Sequence, residues 1–392
     1  MTYEIPRVQC TAYESNSTTT TREHAQHISN QSENDSYLTI RSYSKLVPFF
    51  KRFGDQVKKI EISYSSFSEN VPHKQINENI IKKYAKTLEW LRINIQGDGG
   101  FWEETSDGEN YIIFPEVKTF ETLGDSTRNK FDLSLIFPKL ESVELLGNVA
   151  DVNCLANVKG LKELRLWNSL IQEHQLEDIF ANNENMIRLS LSKLNRSETM
   201  RSIAKYLTKL ETLQVHSPGE DFLLRANDSK VYELPSVKHF DIEFDEMDEV
   251  FGIGNFSFVM PELKKLILRG NKSDGRIINF IKYFKKLETV ELLVNEFNPE
   301  KCIEKLQHIK EIKVDHGINT KSLKTLFECF DKESKLQILK FHTFDPSSYQ
   351  TYEDTMEEIN TSLRNSMKPT WTLSLEKRTG AFRKYLVFTR KP

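Results

Sequence analysis

A hydrophobic triplet, apolar-x-x-apolar-x-apolar, returns about twelve times between Val57 and Phe341 at intervals of about 21 to 31 residues, and this periodicity constrains the fold more than any other feature. Its first positions are Val57, Leu88, Val117, Leu140, Leu161, Met186, Leu210, Val237, Leu263, Leu287, Ile309 and Leu336. Its third positions are Ile62, Ile93, Thr122, Leu145, Leu166, Leu191, Val215, Ile242, Leu268, Leu292, Val314 and Phe341, polar at Thr122 alone. Within each copy the last two apolar positions are two residues apart, so they share one face of a strand, and the residues between and beyond them point the other way. A lone copy cannot bury that apolar face. A stack of parallel strands buries it continuously.

The segments between the triplets narrow the class. QLEDIFANN follows Trp167, SETMRSIAKYL follows Asn195, GRIINFIKYF follows Asn271, and TKSLKTLFECF follows Asn319. Each has the spacing of a short amphipathic helix, and Ser197 and Thr320 stand where an N-cap oxygen accepts from the first free amides. Strand, loop, helix and return in about 25 residues predicts an α/β leucine-rich repeat solenoid of about twelve degenerate repeats. Its form is a ribonuclease-inhibitor-like horseshoe with a parallel concave sheet and short convex helices. Eleven steps of about 4.8 Å give a concave face on the order of 50 Å along its arc, room for a protein partner. Regular repeats carry asparagine three residues beyond the third apolar position. Asn148, Asn271 and Asn295 fill that slot, but Ser169, Leu194 and Pro218 do not, so the array is irregular.

About 38% apolar and 28% charged residues is ordinary for a soluble protein, and the net charge of −3 argues against a nucleic-acid-binding protein. No apolar run reaches the roughly 18 residues of a membrane span, and the N-terminus lacks an apolar signal segment. Cys10, Cys154, Cys302 and Cys329 are scattered, without C-x-x-C pairs or terminal clusters. The expectation is a cytoplasmic or nuclear monomer. The sequons at Asn16, Asn195 and Asn271 then carry no glycan.

Residues 1–36, rich in Ser, Thr, Asn, Gln and Glu, are expected to be a disordered polar tail. The solenoid is expected over residues 37–365. It opens on a strand at Leu38 and Ile40 and a helix capped by Ser44, with Pro48 in its first turn and Gly54 just past its end. Residues 366–392, with Trp371, Leu373 and Leu375 alternating and then Tyr385 and Val387, read as a terminal capping hairpin.

The stretch SYLTIRSYSKLVPFFKRFGDQVKKIEIS, with FPKLESVELLGN, LKELRLWNS and FKKLETVELLVN, resembles the insect family of F-box/leucine-rich repeat proteins over most of residues 37–365. In that family an F-box docks on a Skp-type adaptor of a cullin ubiquitin ligase, and the repeats hold the substrate. The resemblance implies a substrate-recognition half of such a receptor. Residues 1–36 show no L-P-x-E-x-L-x-x-I-F start, and Glu4-Ile5-Pro6 does not replace it. The alternative is a stand-alone scaffold or inhibitor that binds a protein without a ligase.

If the outward strand residues carry binding, the partner surface comprises Leu146, Arg165, Trp167, Arg188, His216, Asp241, Glu243, Arg269 and Leu293. Leu146, Trp167 and Arg165 fall side by side, with Arg188 one strand along, and exposed Trp and Arg are the types most enriched at binding hot spots. The other reading folds Trp167 over the rim onto a loop. Two acidic loops, one with Asp98, Trp102, Glu103 and Glu104 and one with Asp245, Glu246 and Asp248, leave the strands on the same edge and would favour a basic partner.

Enzyme motifs are missing: no G-x-x-x-x-G-K-[ST], G-x-G-x-x-G after a strand, H-E-x-x-H or G-x-S-x-G occurs. His24 with His27 and His316 with His342 are chance pairs lacking further zinc ligands. No cofactor or metal is expected.

Overall fold

The computed structural model describes residues 7–11, 37–40, 43–63, 82–94, 112–123, 132–147, 152–167, 171, 173–192, 197–218, 231–244, 258–273, 281, 284–297, 306, 308–315, 335–342, 361, 371–377 and 384–390. The chain forms two compact units, Met1–Lys193 with Lys205–Lys209, and Leu194–Ala204 with Leu210–Pro392.

The strands of the first unit are β1 (Arg7–Thr11), β2 (Tyr37–Ile40), β3 (Lys59–Ser63), β4 (Trp90–Asn94), β5 (Thr119–Leu123), β6 (Ser142–Leu146), β7 (Glu163–Trp167) and β8 (Arg188–Ser192). They are parallel and hydrogen-bonded in the order β2-β1-β3-β4-β5-β6-β7-β8. Those of the second unit are β9 (Thr212–His216), β10 (Tyr232–Glu233), β11 (His239–Glu243), β12 (Phe258–Val259), β13 (Lys265–Ser273), β14 (Thr289–Phe297), β15 (Glu311–Val314), β16 (Ile338–His342), β17 (Trp371–Lys377) and β18 (Lys384–Arg390). Here β9, β11, β13, β14, β15 and β16 run parallel, β18 lies antiparallel to β16, and β17 antiparallel to β18. β10 and β12 form a separate parallel pair.

This is a leucine-rich repeat solenoid, and the triplet sets its register. Ile62, Ile93, Thr122, Leu145, Leu166 and Leu191 stand opposite one another strand by strand in the first unit. Val215, Ile242, Leu268, Leu292, Val314 and Phe341 do so in the second. The first apolar positions and the middle ones, Ile60, Leu91 and Leu164 among them, are buried as well. Each such side chain removed from water contributes about 1.5–3 kcal/mol. Thr122, the one polar third position, is buried at 4% exposure.

Most strand starts of the array share one backbone device. The carbonyl of Lys58 accepts from both Glu89 and Trp90 N–H groups, that of Glu141 from Lys162 and Glu163, and that of Lys264 from Glu288 and Thr289. The turn leading in is also shared. In it the first apolar residue donates to the carbonyl three positions earlier, as Leu140 does to Phe137, Met186 to Asn183 and Leu263 to Met260. Phe114 and Phe137, at that earlier position, fill the core beside Phe120, with ring centroids 5.2 Å and 4.9 Å from Phe137.

Two of the expected helices are present, Glu173–Asn182 and Ser197–Tyr206. Their buried residues Leu176, Ile179 and Phe180, and Met200 and Ile203, follow helical spacing. GRIINFIKYF lies largely outside the described residues, and TKSLKTLFECF wholly so. Other returns are tighter: one helical turn at Leu133–Ile136, with Asp132 Oδ1 capping Ser134 N–H at 2.9 Å, and a 3-10 turn at Asn153–Leu155.

Several expectations need correction. β1 falls inside the segment expected to be disordered, pairing Val8 with Ile60 and Cys10 with Ile62. Its Val-x-Cys alternation is two apolar residues long, too short to stand out in a polar tail. The first helix runs Tyr43–Phe53, so Ser44 is inside it and Pro48 is its sixth residue, not in its first turn. A 3-10 turn, Gly54–Gln56, follows. Gly54 is required there for space, because a Cβ would lie 2.2 Å from the buried Tyr84 ring. β13 and β14 continue as paired strands past the Asn271 and Asn295 slots, with Lys272 opposite Glu296. Asn148 lies outside the described residues.

Candidate recognition surface

In the first unit the central outward residues form a register-aligned row of Glu61, Arg92, Glu121, Glu144, Arg165 and Ser190. Four of its charges form two cross-strand pairs. Arg92 Nε lies 3.5 Å from Glu121 Oε2, Arg165 Nη1 lies 3.3 Å from Glu144 Oε2, and the Trp90 indole donates to Glu121 Oε1 at 3.0 Å. Burial pushes the Glu144 carboxyl above the ordinary glutamate range; Arg165 pulls it back, and the adjacent Glu121 charge pushes it further.

One position along, Leu123, Leu146 and Trp167 stand opposite one another. Leu146 is half-buried, whereas Arg165 and Trp167 are exposed, Trp167 at 36%. The structure thus places Leu146, Arg165 and Trp167 together. Arg188 is paired in register with Glu163 and makes an ion pair with it at 2.5 Å, so it sits at the start of its strand and not in the Arg165 row.

The second-unit candidates are committed to each other. Asp241, only 4% exposed, accepts two hydrogen bonds from Arg269, at Nε and Nη2, each 2.9 Å. That bond holds the guanidinium above the ordinary arginine range. His216, 9% exposed, places Nδ1 2.8 Å from Glu243 Oε2. Glu291 is gripped by Lys313, with Lys265 Nζ at 3.6 Å. Burial works against its charge, but the Lys313 hydrogen bond and the two lysine charges hold its carboxyl below the usual range. Lys313 Nζ also lies 4.9 Å from the centroid of the Tyr385 ring, and Tyr385 donates to Asp315 at 3.3 Å. Alternation predicted that His216 and Asp241 face outward, yet both are buried, Asp241 against Arg269 and His216 beside Glu243. They brace the sheet and do not present themselves. Leu293 is half-buried beside Arg269.

The acidic-loop residues Asp98, Trp102, Glu103, Glu104, Asp245, Glu246 and Asp248 lie outside the described residues, as do His24, His27 and His316. Among the described residues no group of three or more His, Cys, Asp and Glu could hold a metal ion. Among them, too, no helix is long and apolar enough to cross a membrane.

One regularity escaped the sequence reading. The residue after the first apolar position alternates in charge over five successive repeats of the first unit: Lys58, Glu89, Lys118, Glu141, Lys162. Lys58 pairs with Glu89 at 3.2 Å and Lys162 with Glu141 at 2.6 Å; in the second unit Lys238 pairs with Glu211 at 2.7 Å and Lys310 with Glu288 at 3.0 Å. Two residues earlier, just before the first apolar position, Lys139 pairs with Glu116 at 2.7 Å. The hydrogen bonds from Lys139, Lys162 and Lys310 hold Glu116, Glu141 and Glu288 below the ordinary glutamate value of 4.5. Depressed carboxylates stabilise the fold above their unfolded value and lose that contribution as pH falls through the folded one. The melting temperature is therefore expected to hold from neutral pH to about 5 and then decline toward pH 3, less steeply in 1 M salt, where the screening length is about 3 Å. A melting temperature flat across that range would contradict the pairing.

No protein-family model and no curated protein matches the chain. Solved structures that resemble it include TLR13 in complex with ssRNA13, at 13% identity and a TM-score of 0.36, covering 72% of this chain and 40% of that one. Another is the Toll–Spatzle complex of Drosophila, at 10% identity and a TM-score of 0.34, covering 76% of this chain and 44% of that one. The chain thus spans less than half the length of these solved chains.

Proposed function

We propose that this protein is a non-enzymatic recognition module that binds a protein partner on the outward strand face of its first unit. The observation that carries this reading is the exposed Trp167 beside Leu146 and Arg165. An aromatic anchor with an apolar shelf and a guanidinium is the composition of a hot spot. The Arg92–Glu121 and Arg165–Glu144 pairs support it by holding that face before a partner arrives, which reduces the ordering cost of binding.

The resemblance over residues 37–365 refines the proposal to the substrate-recognition half of a Skp/cullin-type ubiquitin-ligase receptor acting in the cytoplasm or nucleus. Titration of the full chain with purified Skp-type adaptor tests that refinement. Saturable binding that survives Trp167→Ala supports it, because the adaptor would dock elsewhere than the substrate. No binding leaves a stand-alone scaffold or inhibitor. For the partner itself, Trp167→Ala is expected to weaken binding about 30-fold, the weight of a hot spot of about 2 kcal/mol. Its melting curve should match the wild type. A change below about threefold would remove Trp167 from the site.

A further inference from the structure

The terminal hairpin covers one sheet edge and creates another. β18 lies between β16 and β17, and β17 ends the strand order, so among the described residues β17 has β18 as its single strand neighbour. Arg390 N–H donates to the Gln337 carbonyl, on the β16 side, at 2.9 Å. Because backbone groups alternate sides along an antiparallel strand, Thr389, Val387 and Tyr385 turn theirs toward β17. Their register partners Thr372, Ser374 and Glu376 turn theirs back toward β18. The Thr372 hydroxyl also donates to the Thr389 carbonyl, at 3.1 Å. The backbone N–H and C=O groups of Leu373, Leu375 and Lys377 therefore lie along the outer edge of the sheet.

Natural edges are guarded by proline, bulges or central charges. The strand Trp-Thr-Leu-Ser-Leu-Glu-Lys has no proline and carries charge at its last two residues alone. Its Thr372 and Ser374 are exposed. Its order of residues is also self-complementary. Antiparallel pairing of two copies about Ser374 sets Leu373 opposite Leu375, Thr372 opposite Glu376 and Trp371 opposite Lys377. That register uses all seven residues of the strand, puts edge-facing residues opposite edge-facing residues, and faces no like charges. The Trp–Lys opposition is one that cation–π attraction favours. Centring on Leu373 or Leu375 shortens the match to five residues. Parallel in-register pairing sets Glu376 on Glu376 and Lys377 on Lys377, which is repulsive.

We propose that the outer edge of β17 is a self-association site, where a second copy of this chain adds its own β17 antiparallel about a two-fold axis at Ser374. The pairing is isologous and closes at two copies. A single strand pair is a small interface, so the dimer is expected to form at micromolar concentrations and above.

Sedimentation equilibrium of the full chain, from about 1 to about 200 µM, should show a reversible monomer–dimer equilibrium in the range expected for so small an interface. Leu373→Pro removes an outward N–H and spares the bonds to β18; it should melt like the wild type and stay monomeric. A cross-link reads the register independently. Ser374 faces its own symmetry mate at a non-hydrogen-bonded position, where the Cα atoms of an antiparallel pair are about 4.5 Å apart, within disulfide reach. Under diamide, which takes up the two thiol hydrogens, Ser374→Cys should give a linked dimer on non-reducing gels, above the wild-type background from the four native cysteines. Adding Leu373→Pro should abolish it. A chain that stays monomeric throughout, a dimer indifferent to Leu373→Pro, or equal cross-linking in the double variant would overturn the proposal. So would β17 amides protected only when another protein's extended segment is present.

Discussion

Leu213→Asp is expected to unfold the repeats around it. Leu213 is fully buried in β9, in register with Phe240 of the next strand. A carboxylate there has neither water nor a cation, a cost of several kcal/mol. Because each repeat of a solenoid is stabilised by its neighbours, the damage should spread along the second unit. Thr212→Asp, one residue away and on the opposite face, is the control. Melting of both variants by circular dichroism should show a collapsed or lost transition for the first and a small shift for the second. Equal melting would mean that the inward and outward faces have been exchanged.

Asn183→Ala is expected to cost about 3 kcal/mol, because one side chain closes the turn of the preceding repeat. In most repeats the first apolar residue donates to the carbonyl three positions earlier. At Leu161 that bond gives way to Asn183, whose Oδ1 accepts from Leu161 N–H at 2.8 Å while its Nδ2 donates to the Val158 carbonyl at 2.9 Å. The same nitrogen donates to the Ile179 carbonyl at 2.8 Å. The cause is local: Gly160 has φ +86, so the turn opens, and an amide from the next repeat bridges it. Asn183 is 2% exposed, so none of the three backbone groups can turn to water when the amide is removed. Asn183→Asp should be at least as damaging, since a carboxylate satisfies Leu161 but faces the Val158 and Ile179 carbonyls with no proton to donate. An Asp variant as stable as the wild type would refute the bridge.

These two residues show what the amino-acid order reveals and what it conceals. Leu213 was legible because a fixed triplet repeats, and spacing alone assigns it to the core and to a partner strand. The helices Glu173–Asn182 and Ser197–Tyr206 were legible for the same reason, through their apolar spacing. Asn183 was concealed, because it occupies a slot that holds Phe114, Phe137, Leu234 or Met260 in other repeats, and its value depends on a glycine conformation one repeat away. β10 and β12 are two residues long, too short for any period. Of the candidate surface, alternation and register suffice to bring Leu146, Arg165 and Trp167 onto one face of adjacent strands. Asp241, Arg269, His216 and Glu243 were assigned outward, but alternation says nothing about the cross-strand hydrogen bonds beside which Asp241 and His216 are buried.

Side-by-side affinity purification from insect cells with three baits, the full chain, Trp167→Ala and Arg165→Ala, tests the central claim most directly. The account predicts a stoichiometric protein partner on the wild-type bait that is depleted on both variants, while all three baits melt alike. A partner held equally by all three baits would contradict it.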